Sequence, residues 1–279
     1  MKISIFSFAV NDLFPLDIVH RQFTKYIEED FDFILFNDAF DSQMEQNINT
    51  IAQYNKINYV RVPQNIHSSR NPSIEYANTL NWAVQDYAIN NGCDIIVLMH
   101  CDVFPIYKTS ILNIIEDNIV ASTIESKVLA DETIHYFYPA FTIINMKLLK
   151  NANELDFGLE AGLDCGGKTK EFIKNNKLVK FIGSHQTSNI VSNSTGKSFS
   201  EIDLHVYRST NQHARLLNDS LLHFFETNLN ICKDHSLSAG WVAEGFYHYI
   251  AGSQWNASER TSFAEGHKKR MELFLKYFY

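Results

Sequence analysis

His100 and Asp102 stand two residues apart just after an unbroken apolar run, Ile95 to Met99, in the stretch Asp94-Ile-Ile-Val-Leu-Met-His-Cys-Asp-Val-Phe-Pro105. An imidazole and a carboxylate can each give a lone pair to a divalent cation. On an extended backbone an i, i+2 pair projects both side chains to one side. A plain structural turn would use the same residues. Asp164, in Leu163-Asp-Cys-Gly-Gly-Lys168, is a carboxylate before two glycines that free the backbone for close approach. It suits a general base beside an acceptor hydroxyl, or equally a cap for the helix that follows. Asp156, Glu160 and Glu244 are weaker candidates for the same proton transfer.

His248 lies in Phe246-Tyr-His-Tyr-Ile-Ala-Gly-Ser-Gln-Trp255, ahead of a Gly252-Ser253 turn whose N–H groups can face phosphate oxygens. A buried, hydrogen-bonded structural histidine fits that segment as well. Arg70 and Lys168 are candidate diphosphate partners or simply solvated cations. Tyr136, Phe137, Tyr138 and Phe141 offer faces for a sugar ring, or filling for a core.

The elements that must position these groups follow a βα rhythm. Residues 2–9 read as a first strand, Leu16 to Glu29 as a helix, Asp32 to Asp38 as a second strand and Asp41 to Tyr54 as a helix. Ile57 to Val62 is a third strand stopped by Pro63, followed by the polar loop Gln64-Asn-Ile-His-Ser-Ser-Arg-Asn71. Pro72 opens a helix over Ser73 to Ile89, and Gly92 ends it. The Asp94 to Pro105 stretch is then the fourth strand, and its C-terminal end is where open α/β sheets place their ligands.

Beyond it the sequence predicts a helix over Ser110 to Asn118, a strand over Ile119 to Ile124 and an aromatic loop running into a strand over Ile134 to Asn145. A helical turn at Met146 to Lys150, a helix over Thr169 to Asn175 and a strand over Val179 to Ile182 follow. A Ser- and Asn-rich loop spans 183–208, with helices over Gln212 to Phe225 and from Ser258. The expected fold class is α/β, a mostly parallel sheet flanked by helices, in a single domain over 1–279. Regular βα units fill its first part, 1–105, and the pattern loosens over 106–279.

A net charge of −8 over 279 residues argues against nucleic acid or an anionic membrane as partner. Cys93, Cys101, Cys165 and Cys232 show no CxxC or CxxH spacing, so they read as reduced thiols. No apolar run reaches the roughly 18 residues of a transmembrane segment. The N-terminal run reads as a strand and not as a signal peptide, giving a cytoplasmic expectation.

An apolar strand ending in this pair after about a hundred residues of βα units resembles nucleotide-sugar glycosyltransferases of the GT-A fold, family 2-like. There the equivalent position carries Asp-x-Asp, which holds a divalent metal against the donor diphosphate. The resemblance implies a nucleotide-diphosphate sugar as donor, a glycan or other glycoconjugate hydroxyl as acceptor, and Mn²⁺ or Mg²⁺ as cofactor. It implies that Phe8 and Asn11, in Phe6-Ser-Phe-Ala-Val-Asn11, cradle the base, and that Asp38 faces base or ribose. Arg70 and Asn81 lie before and along the helix preceding the metal motif. Asp102 and a C-terminal histidine, here His248, form the metal shell, and Asp164 is the base of an inverting transfer. His100 replaces the first acid of Asp-x-Asp, so it binds the ion weakly, touches the ribose, or does neither. A His/Asp/His set suits Mn²⁺ at least as well as Mg²⁺. The alternatives are a catalytically inactive GT-A-like binding protein and a nucleotidyltransferase, although Ser7-Phe-Ala-Val-Asn11 lacks the Gly-rich signature of the latter.

Overall fold

The computed structural model describes residues 1–10, 13, 16–69, 71–105, 108–184, 239–243 and 246–249. Strands β1 (Ile3–Ala9), β2 (Phe31–Asn37) and β3 (Asn58–Arg61) alternate with helices α1 (Leu16–Tyr26) and α2 (Ser42–Tyr54). Helix α3 (Pro72–Trp82) runs on through a π-helical turn, Ala83–Ala88, into β4 (Ile95–His100). Then come β5 (Val103–Pro105), α4 (Ile111–Ile115), β6 (Val120–Leu129), β7 (Glu132–Asn145), α5 (Thr169–Asn175), β8 (Val179–Ser184), β9 (Ala239–Ala243) and β10 (Phe246–Tyr249).

Seven strands form one sheet in the order β3-β2-β1-β4-β7-β6-β8. Pairing is parallel throughout except along β7, which runs against both β4 and β6. The α/β class and the mostly parallel sheet expected from the sequence are therefore present. β4 is buried on both faces, as a central parallel strand must be, which accounts for its continuous Ile-Ile-Val-Leu-Met run. Val97 and Met99 join Val19, Phe23, Ile48 and Ile111 on the face covered by α1, α2 and α4. Ile96 and Leu98 join Ala77, Leu80, Val84 and Phe172 on the face covered by α3 and α5.

Local signals explain the helix starts. Asp41 accepts a hydrogen bond from the Met44 N–H, and Asn71 caps α3 just before Pro72. Ser110 does the same for α4, reinforced by Glu29, whose carboxylate accepts the Ile111 and Leu112 N–H groups.

Two expectations change. The fourth strand does not run to Pro105: it ends at His100, turns at Cys101 and Asp102, and resumes as β5 in a second sheet, β5-β10-β9. The reason is a partner far along the chain, since Val103 to Pro105 pairs antiparallel with Phe246 to His248. The aromatic segment before Ile143 is also no loop but part of the 14-residue β7, paired to β6 as a hairpin. Ala130 and Asp131 turn that hairpin with positive φ at both positions, 49° and 67°, as a two-residue turn of the twist-compatible kind requires. The expected loop over 183–208 and the helices over 212–225 and from 258 lie outside the described residues, apart from the end of β8. No helix among the described residues is long and apolar enough to cross a membrane.

Candidate functional site

β1, β2, β3 and β4 run parallel, so their C-terminal ends share one edge. His100, the last residue of β4, sits in register with Phe8 of β1. It points to the α3 side, where its ring lies 5.0 Å from Tyr76 and 6.2 Å from Tyr138. Because the chain turns immediately after it, Asp102 is not on an extended backbone beside His100. The turn nevertheless keeps the two close, with His100 Nδ1 4.0 Å from Asp102 Oδ1 and the Asp102 side chain 1% exposed.

Asp164 reaches the same neighbourhood by a different route. Its turn is docked on β7: the Thr169 hydroxyl donates to the Gly166 carbonyl at 2.6 Å and accepts the Phe137 N–H at 2.9 Å. Gly166 has φ +91°, and a β-carbon there would collide with the Phe137 carbonyl. The close approach its missing side chain permits is thus to the protein's own strand, not to an acceptor. Asp164 itself is exposed, and its carboxylate accepts the Cys165 N–H at 2.8 Å. It does not cap α5, whose first-turn boundary residue is Lys168.

Tyr138 is a side chain whose hydroxyl feels both carboxylates. It follows the docked Phe137, and its hydroxyl is pushed well up, first by burial, then by the fields of Asp102, Glu125, Asp164 and Cys165. Tyr76 is raised in the same way, by burial first and then by Cys165, Cys101, Asp102 and Tyr138. Of the four aromatics expected to face a sugar, only Tyr138 is partly exposed; Tyr136, Phe137 and Phe141 are core.

Other expected site residues are placed differently. Phe8 is 4% exposed and stacks on Phe36 at 5.2 Å, within the aromatic core. Asn81 spends its amide on the 156–157 segment, donating to Asp156 at 2.8 Å and accepting the Phe157 N–H at 2.8 Å. Lys168 pairs with the same Asp156 at 3.1 Å. Burial opposes ionisation of Asp156, yet the Gly158 N–H, Asn81 and Lys168 hold its carboxyl below the usual range. Asn81, Asp156 and Lys168 are accordingly a structural knot.

Asp38 lies at the edge after β2 but is 2% exposed, with Oδ2 accepting the Thr79 hydroxyl at 2.6 Å and Oδ1 facing His67 Nε2 at 2.6 Å. His67 and Glu75, which complete this group, carried no signal in the sequence beyond a histidine in a polar loop. Asn11 and Arg70 lie outside the described residues. The backbone of β10 sets His248 opposite Val103, the residue after Asp102.

As metal donors, Asp102 and His100 are an oxygen and a nitrogen close together on one turn, two donor types that a divalent ion of the Mn²⁺ kind accepts. Among the described residues, which do not include the His248 side chain, no three His, Cys, Asp or Glu side chains converge as a metal site.

No family model and no curated protein matches this chain. Among solved structures, the mannosyltransferase Ktr4p from S. cerevisiae is similar with a TM-score of 0.38 and 10% identity, over 53% of this chain. The chain spans 57% of that structure's length, a little over half.

Proposed function

We propose that this chain is a glycosyltransferase that moves a sugar from a nucleotide-diphosphate donor to a hydroxyl of a glycan or other glycoconjugate. One juxtaposition carries the reading. At the C-terminal edge of β4, Asp102 lies beside His100, His100 reaches Tyr138, and the turn bearing Asp164 is docked on the residue before Tyr138. A buried acid and an exposed acid therefore both act electrostatically on one partly exposed phenol, that of Tyr138.

In this reading Asp102 and His248 hold a divalent ion, Mn²⁺ or Mg²⁺, with His100 beside them. The ion supplies charge neutralisation on the departing nucleoside diphosphate. Asp164 takes the proton of the acceptor hydroxyl as its oxygen attacks the anomeric carbon, which gives inversion. Tyr138 presents its ring to the sugar. His100, its side chain 24% exposed, faces the ribose or sugar.

His100 in the place of a first acid favours one second reading, a protein that binds a nucleotide sugar without transferring it. A thermal-shift screen of nucleotide sugars with and without Mn²⁺ tests the shared part of both. A donor at 100 times its Kd should add about 2.7 kcal/mol of apparent stability. A melting temperature unmoved by any donor at millimolar concentration, with or without metal, contradicts both readings.

A further inference from the structure

Glu125 carries no motif in the sequence, yet the β6–β7 hairpin brings it to the turn that bears Asp164. The turn is anchored on the hairpin at both ends. A β-carbon on Gly162 would sit 3.1 Å from Leu129 Cδ1, and Gly166 lies against the Phe137 carbonyl. From Ile124 to Leu129 the pairing with β7 is regular, with Ile124 opposite Phe137 and Leu129 opposite Glu132. Glu125, Lys127 and Leu129 therefore share one face. It is the face on which Leu129 meets the turn, and Asp164 is midway between the two anchoring glycines.

Tyr136 stands directly opposite Glu125, so its side chain is on the same face. Its hydroxyl is buried without a hydrogen-bond partner among the described residues. Such a group is costly unless a polar group from outside the protein completes it. The charged groups bearing on this hydroxyl are Glu125 and Asp164, and it is pushed well up, first by burial and then by Glu125. The same two acids act on the hydroxyl of Tyr138. Glu125 is 17% exposed and makes a loose pair with Lys127 at 3.9 Å. Lys170 is committed to Glu160 at 2.8 Å and Lys168 to Asp156 at 3.1 Å. Lys127 is thus left to balance Glu125, Glu132 and Asp164, and the surface is net negative.

We propose that Glu125 is an acceptor-binding, specificity-determining residue: its carboxylate accepts a hydrogen bond from a second hydroxyl of the same sugar whose reacting hydroxyl faces Asp164, so the acceptor is a neutral saccharide. The inference rests on the glycosyltransferase reading and names its acceptor class. A carboxylate offers acceptor lone pairs only, which suits hydroxyl donors. An acceptor with a single hydroxyl leaves Glu125 unused. An anionic acceptor is repelled by the excess of acids on the same surface.

The test uses the full chain, a nucleotide sugar from which it releases nucleoside diphosphate, and the methyl glycosides of glucose, galactose, mannose and N-acetylglucosamine as acceptors. At least one of these should be glycosylated with a kcat/KM at least about tenfold above that for methyl glucuronide or benzyl alcohol. Glu125→Gln should raise the KM of that glycoside by at least about tenfold, the worth of a hydrogen bond to a charged group, and the donor KM by less. Glu125→Asp, which keeps the acid, should recover part of the loss. Monodeoxy forms of the glycoside reveal the cause: one should be a poor acceptor for the wild type, and with it Glu125→Gln should bring no further loss. A purely structural role would lower the glycoside and all its deoxy forms alike. That result, or an unchanged acceptor KM in Glu125→Gln, overturns the role of Glu125 and leaves the glycosyltransferase reading standing. Preferred transfer to methyl glucuronide or benzyl alcohol does the same. No nucleoside diphosphate released from any donor contradicts that reading, and this inference falls with it.

Discussion

At the scale of single residues, exposure separates groups able to act on a ligand from groups committed to the fold. Asp164 is exposed, and among the described residues its carboxylate accepts the N–H of its own neighbour, Cys165. Asp164→Asn should therefore fold normally and lower kcat by about 10²- to 10⁴-fold, the usual worth of a general base. The donor KM should hardly change, which steady-state kinetics will show; an unaltered kcat would remove Asp164 from the reaction. Asp156 is the contrasting case, a carboxyl held below its ordinary value by Gly158, Asn81 and Lys168 against the cost of burial. A depressed carboxyl contributes stability above its unfolded value, about 3.9, and loses it as pH falls through the folded one. Urea denaturation of Asp156→Asn at a series of acidic pH values should lack that stretch of pH dependence. The knot is about one-third exposed on the Asp156 side, so the effect is modest.

At the scale of elements, the turn that presents Asp164 depends on a contact no residue with a side chain can make. Gly166 combines a left-handed backbone with a β-carbon position already filled by the Phe137 carbonyl. Gly166→Ala should cost about 3 kcal/mol or more, or prevent folding, as read by thermal melting. The same scale shows what the sequence could and could not disclose. The βα rhythm, the helix start at Pro72 and the uninterrupted apolar run of β4 depend on near neighbours in the chain, and all were legible. The break after His100 was not, because β5 exists only by pairing with residues more than 140 positions later. Phe8 and Asn81 look like edge residues until register and packing assign one to the aromatic core and the other to Asp156. His67 was hidden for a similar reason: its two acids come from the end of β2 and from α3, and one, Glu75, sits on a helix position the polar sequence would place in water.

At the scale of the molecule, the sheet has one chemically distinct edge. The parallel strands β1 to β4 end there, the reversed strand β7 lies beside β4, and the polar groups of the 37–39, 67, 100–102 and 138 positions collect along it. The acids held by hydrogen bonds, Asp38 and Glu75, lie on the β2 side; Asp102 and Asp164 lie on the β7 side. A donor nucleotide laid along this edge would have its base toward the former and its diphosphate toward the latter. Release of nucleoside diphosphate from a panel of nucleotide-diphosphate sugars with Mn²⁺, with wild-type chain and Asp102→Ala compared side by side, tests that assignment most directly. The wild type should release nucleoside diphosphate from at least one donor, and Asp102→Ala should lower the rate by about 10²-fold or more, the scale of losing one charge-stabilising group. No release from any donor, together with nucleotide binding unchanged in Asp102→Ala, would contradict it.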